Sequence, residues 1–85
     1  MTDIKIYTTT WCPDCRNAKN YLDKRGIAYE EINIETTPGA AEFVMSVNAG
    51  KRKVPTFVVG DDVFHNSPYS PALMEEKFGA HARSA

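Results

Sequence analysis

Cys12 and Cys15 are the only cysteines in the chain, set in the run Thr10-Trp11-Cys12-Pro13-Asp14-Cys15. A C-x-x-C pair can be a structural staple, half of a metal site or a working dithiol, and each asks for different surroundings. A staple for a small secreted domain joins distant segments, which two cysteines in such close sequence cannot do. A closed zinc site needs four ligands, and the remaining candidates are His65, near a strand end, and His81, in the tail, so no metal site is assigned. Two inert buried thiols would be packed as small hydrophobes, without the helix start that Pro13 marks here. A redox-active pair is the reading that uses all of the local pattern.

Pro13 suits the first position of a helix, which makes Cys12 the N-cap, where Ser or Asp ordinarily accepts hydrogen bonds from unpaired backbone N–H groups. A sulfur in that seat meets the same donors and the positive end of the helix dipole. Both favour the charged form, so Cys12 is expected to be the nucleophilic thiolate. Cys15 lies one turn on and shares a helix face with Ala18 and Leu22, so it is expected to be the more buried sulfur. Attack by Cys12 on a disulfide would then be resolved by Cys15. Asp14 complicates this, because its carboxylate suits the first turn of a helix but opposes a thiolate beside it; the backbone donors are expected to prevail.

The elements that position this pair are short. Ile4 to Thr8 alternates apolar and polar residues as a strand does, and the first helix is predicted from about Pro13 to Arg25, stopped by Gly26. Ala28 to Ile34 is the second strand, parallel to the first across a right-handed crossover. Thr37 is predicted to cap a second helix with Pro38 at its first position, with Ala41, Val44 and Val47 as its apolar stripe and Asn48-Ala49-Gly50 as its end. Thr56 to Val59 and Val63 to Phe64 read as a hairpin around Gly60-Asp61-Asp62. Ser70 with Pro71 opens a last helix burying Leu73, Met74 and Phe78, with Tyr69 placed as a hydrophobic staple toward Met74.

The predicted fold is α/β, a four-stranded mixed sheet sandwiched by three helices in the order βαβαββα, the minimal thioredoxin-type plan. A single domain is expected over residues 1–79, with 80–85 as a short frayed tail. At 85 residues the chain has room for one core, and its net charge of −1 gives no sign of a nucleic-acid or anionic-membrane partner. The N-terminus lacks a basic and then apolar leader, and no apolar run approaches the roughly 20 residues that cross a bilayer. A cytoplasmic, monomeric protein is the expectation.

Val54-Pro55-Thr56 is the second informative feature. A proline opening a strand is unremarkable, but a cis bond before Pro55 would turn the Val54 backbone toward the cysteines, where its polar groups could pair with a substrate as an edge strand does. Trp11 reads as an exposed ring flanking the nucleophile and able to dock a partner. The basic run Lys51-Arg52-Lys53 could attract carboxylates, or could simply be solvated. Lys5 and Tyr7 of the first strand are expected to be packing residues.

These features together resemble the glutaredoxin family, most closely its mycoredoxin-like and NrdH-like small redoxins. The resemblance rests on "IYTTTWCPDC", "GIAYEEINIE", "AAEFVMSVNAGKRKVPT" and the late "NSP", all in family order and covering nearly the whole chain. It implies a thiol–disulfide oxidoreductase with Cys12 as nucleophile, Cys15 as resolving thiol, Pro55 as a cis proline and Val54 as a backbone contact for a thiol cosubstrate. Trp11, Pro13, Asp14, Lys53, Asn66 and Ser67 complete the expected substrate-binding set.

The resemblance implies oxidised or thiolated proteins as partners and no tightly bound cofactor. Electrons would come from a low-molecular-weight thiol or from a thioredoxin reductase. Many glutathione-using members carry Gly-Gly and then Asp where this chain has Asn66-Ser67-Pro68-Tyr69, so mycothiol or bacillithiol fits better than glutathione, and the sequence does not choose between those two. An electron donor to ribonucleotide reductase, of the NrdH type, is the alternative. A [2Fe–2S] cluster shared by Cys12 of two chains is a further one, against which Pro13 argues.

Overall fold

The computed structural model describes residues 4–79. The expected tail at 80–85, with His81, lies outside them. Seven elements follow in the order β1 (Ile4–Thr8), α1 (Pro13–Lys24), β2 (Glu30–Asn33), α2 (Ala40–Val47), β3 (Thr56–Val59), β4 (Asp62–His65) and α3 (Pro71–Phe78). The strands form one sheet in the order β2-β1-β3-β4, with β1 and β2 parallel and the other two pairings antiparallel. This is the mixed sheet with three helices that the sequence predicts.

Alternation along β1 divides the molecule into its layers. Ile4, Ile6 and Thr8 are buried, while Lys5 is exposed and Tyr7 half-buried. Ile4 and Ile6 join Ala18 and Leu22 of α1, Phe57 of β3 and Met74 and Phe78 of α3 in one core cluster. The opposite face carries a second cluster in which Ala40 and Val44 of α2 pack with Cys12, Cys15, Ile34 and Val54, flanked by Tyr7 and Phe43. Burying side chains the size of Leu22 or Phe57, both fully enclosed, supplies about 1.5–3 kcal/mol each. Lys5 therefore departs from the packing role predicted for it, because α2 is short and covers β1 only around Tyr7, whose ring lies 4.9 Å from that of Phe43.

α1 is rigidly ended. Beyond its C-cap Arg25, Gly26 takes φ +67°, Ile27 N donates to Leu22 O at 3.0 Å and Gly26 N to Asp23 O at 3.1 Å. This paired closure satisfies the last carbonyls and brings Ile27 back into the core beside Leu22. Glu75 of α3 accepts from Tyr21 at 2.7 Å and from Arg25 at 2.9 Å, tying the two helices on that face together.

α2 corrects the sequence reading. Thr37 does not cap it and Pro38 is not its first residue. The helix begins at Ala40 after Gly39, which has φ +82° and makes no side-chain cap. The cause lies upstream: Asn33 Oδ1 accepts from Glu35 N at 2.8 Å and Asn33 O accepts from Thr37 N at 3.0 Å. This turn consumes the segment predicted as the first helical turn. The buried face shifts with it, so that Ala40 and Val44 are enclosed while Val47 is 40% exposed. The β3–β4 turn is tighter than predicted, since Val59 pairs with Asp62 and leaves Gly60-Asp61 as the two-residue loop.

Candidate active site

Both cysteines sit where β1 hands over to α1. Cys12 is the N-cap, with φ −85° and ψ 112°, and its sulfur accepts from Cys15 N at 3.1 Å. That is the cap bond a serine would make, here directed at sulfur. On its other side the Cys12 thiol donates to Val54 O at 3.7 Å. Cys12 is 6% exposed and Cys15 1%, so the two thiols are unequal in the predicted sense. Neither is in a disulfide.

Burial pushes the Cys15 thiol well above its ordinary range, and its contact with the Cys12 sulfur adds to that. The Thr9 backbone amide and the charge of Lys19 pull the other way. Thr9 contributes one more feature, a buried hydroxyl with no hydrogen-bond partner among the described residues.

Val54 and Pro55 bring the loop before β3 against the pair. The Val54–Pro55 peptide is cis, and so is Ser67–Pro68, which the sequence reading did not anticipate. The two loops are joined: Asn66 N donates to Pro55 O at 2.9 Å. Asn66 is only 2% exposed, and its side-chain amide is fully engaged with Ser70, accepting from Ser70 N at 2.8 Å and donating to Ser70 O at 3.1 Å. Asn66 thus builds the segment in which it stands. Ser67 N donates to His65 Nδ1 at 3.3 Å, leaving the Ser67 side chain half-buried.

Trp11 is 68% exposed beside the nucleophile, and its indole N–H donates to Glu35 Oε2 at 3.1 Å. Pro13 is exposed and Asp14 half-exposed in the first turn of α1. Lys51 and Arg52 are exposed, while Lys53 is half-buried and its carbonyl accepts from the Thr56 hydroxyl. Sequence reasoning missed Glu35, and it missed a second group around Cys15. Thr8 Oγ1 donates to Glu31 Oε2 at 2.7 Å, and Lys19 Nζ meets the same oxygen at 2.8 Å. Burial raises Glu31, but the hydrogen bonds from Lys19 and Thr8 outweigh it and hold the carboxyl below its ordinary range. The signal for Lys19 was present, one helical turn beyond Cys15.

The sequence model of the glutaredoxin family matches residues 4–64. The chain belongs to the glutaredoxin family. Mycoredoxin 1 of Corynebacterium glutamicum is 40% identical over 74 residues, covering 87% of this chain and 91% of that protein. The glutaredoxin-like protein NrdH of Escherichia coli is 36% identical over 83 residues, covering 96% and 98% respectively. Among solved structures, NrdH-redoxin of Escherichia coli superposes with a TM-score of 0.72 at 30% identity, over 86% of this chain and 91% of that one.

Glutaredoxins are thiol–disulfide oxidoreductases, and this chain is one, with its C-x-x-C cysteines in contact at a helix start. Its mycoredoxin and glutaredoxin relatives imply a low-molecular-weight thiol as cosubstrate and redox-active partners. Among the described residues no cluster of His, Cys, Asp and Glu is placed to hold a metal ion, and no helix is long and apolar enough to cross a membrane.

Proposed function

We propose that this glutaredoxin removes small thiols from proteins, and opens protein disulfides, by attack from Cys12 and resolution by Cys15. The observation that carries the reading is the Cys12 sulfur on the α1 N-cap, 3.1 Å from Cys15 N, with Val54 O across from it. The Cys12 thiolate attacks the sulfur of the small thiol in a mixed disulfide, a new S–S bond forms, and the protein thiolate leaves and takes a proton from solvent. The Cys12 mixed disulfide is then opened either by Cys15, which closes the Cys12–Cys15 disulfide, or by a second small thiol.

Val54 backbone, Pro55, Ser67 and the Lys53 ammonium form the seat for the small thiol, with Trp11, Pro13 and Asp14 facing the protein partner. Asn66 serves that seat by holding its backbone. Mycothiol is the small thiol this reading favours, supported by the likeness to mycoredoxin 1 over most of both chains. A reducing compartment such as the cytoplasm suits a pair that must return to two thiols.

A second reading has support from the likeness to NrdH over nearly the full chain and from a solved relative described as having a thioredoxin-like activity profile. In it the oxidised pair is recharged by thioredoxin reductase and the electrons pass to ribonucleotide reductase. One experiment separates them: turnover driven by NADPH and thioredoxin reductase is compared with turnover driven by mycothiol, bacillithiol or glutathione recycling. The first reading expects a small thiol, mycothiol best, to sustain turnover, and turnover by the reductase alone would replace it with the second. Cys12→Ser is expected to abolish both routes, whereas Cys15→Ser keeps removal of small thiols and loses the reductase-driven route.

A further inference from the structure

The side chains behind Cys15 form a connected set that the attack and release steps above do not use. Ile6 is registered with Glu31 across β1 and β2. Directly paired residues project to the same face, so Glu31 lies with Ile6 and Thr8 on the side covered by α1. Lys19 reaches it from α1 and meets Glu31 Oε2 at 2.8 Å, and Thr8, fully buried, donates to the same oxygen at 2.7 Å. An ammonium on an exposed helix ordinarily extends into water. Here it is held against the sheet by an anchored carboxylate, with its side chain only 29% exposed.

Lys19 stands one turn beyond Cys15 on the same helix, a spacing that sets Cβ atoms about 5–6 Å apart. Thr9, next to Thr8, brings its backbone amide to the Cys15 sulfur. Among the described residues the ionisable side chains that act on this sulfur are Cys12, at the N-cap of α1, and Lys19 of α1; Tyr7 of β1 packs against the cluster that holds it, on the sheet face opposite to Glu31. α2 and the Val54 loop present Ala40, Val44 and Val54, which are apolar. Lys19 is the one cation of the set.

We propose that Lys19, fixed by Glu31 and Thr8, is a positioning residue for the resolving step, where its charge stabilises the Cys15 thiolate as that thiolate forms. The inference rests on the assignment of Cys12 as nucleophile and Cys15 as resolving thiol. In this step the Cys15 thiol gives its proton to solvent, and its sulfur attacks Cys12 of the mixed disulfide. The intramolecular disulfide forms, and the small thiol leaves as thiolate and is protonated by solvent. Cys15 is oxidised and the small thiol reduced, with no other reactant. The buried Cys15 thiol is raised by its surroundings, so a cation one turn away acts on the species that limits closure.

The test follows closure directly. The reduced full chain is mixed with 2-hydroxyethyl disulfide, quenched with acid at intervals and read by intact mass, which distinguishes the Cys12 mixed disulfide from the closed pair. Lys19→Met is expected to slow conversion of the first into the second about threefold at pH 7, the loss of thiolate outweighing the gain in its nucleophilicity. Its rate–pH profile moves to higher pH, and formation of the mixed disulfide in the same traces changes less than twofold. Lys19→Arg restores closure to within about twofold, because it restores charge. Glu31→Gln keeps an acceptor for Lys19 and Thr8 while removing the opposing charge, so closure is no slower than in the parent.

A merely structural ion pair would be lost in Glu31→Gln as well and would leave the pH profile in place. Should Lys19→Met fail to fold by circular dichroism, Lys19→Gln takes its place. Closure at the parental rate and pH profile without the cation, slow closure in Lys19→Arg, or slow closure in Glu31→Gln would each overturn the inference. Turnover by Cys12→Ser would instead overturn the assignment beneath it.

Discussion

Asn66 separates a residue that binds cosubstrate from one that shapes the seat. Its amide makes two hydrogen bonds to Ser70, at 2.8 and 3.1 Å, from a side chain in a residue 2% exposed. Asn66→Ala removes both. Each such bond is worth about 1 kcal/mol net, and because Ser70 is half-buried its released N–H and C=O reach water, so the loss is about 2 kcal/mol. For a domain of this size that lowers the melting temperature by about 8–16 °C. Asn66→Asp keeps the acceptor for Ser70 N but loses the donor and places a charge in the interior, so it is expected to destabilise at least as much near neutral pH. Melting curves by circular dichroism are compared with turnover well below the transition, where the remaining folded protein keeps its kcat and shows a raised KM for the small thiol. A variant that loses turnover while melting like the parent would refute this reasoning and make the Asn66 amide a direct ligand.

Ser70 caps α3 by accepting from Leu73 N at 3.3 Å, so Ser70→Ala is expected to cost about 1 kcal/mol, and Ser70→Asp to recover most of it; equal melting in all three would remove the cap from the account. Glu31, held below the ordinary carboxylate value of 4.5, contributes stability that is present above that value and is lost as pH falls through the lowered folded one. The melting-temperature gap between parent and Glu31→Gln should therefore close as the pH falls below 4.5, and a gap independent of pH would contradict the pairing. Glu35→Ala frees the indole of the only tryptophan. Trp11 fluorescence anisotropy should fall while stability changes by less than about 1 kcal/mol, and unchanged anisotropy would show that Glu35 does not hold the ring.

The parts of the site that were legible in the sequence depend on neighbours in the chain. Cys12 as N-cap follows from Pro13, the burial of Cys15 from its spacing to Ala18 and Leu22, and the start of α3 from Ser70 and Pro71. The start of α2 was misread because Thr37-Pro38 imitates a cap, while the turn at Asn33, which decides the path, competes through a side-chain hydrogen bond. The roles of Asn66 and Glu31 were out of reach for a different reason. One depends on two loops meeting at Pro55 and Asn66, the other on a strand register that places Glu31 beneath α1, and neither is written in local spacing. Glu35 likewise finds Trp11 only once the parallel pairing of β1 and β2 has placed the segments that follow them side by side.

The central claim is the division of labour between an outer attacking sulfur and an inner resolving one. The direct measurement is limited alkylation of the reduced protein with less than one equivalent of iodoacetamide at pH 7, followed by fragmentation of the peptide that carries both cysteines. The N-cap position of Cys12 and the deeper burial of Cys15 predict that the label lies on Cys12. A label found first on Cys15 would contradict the account.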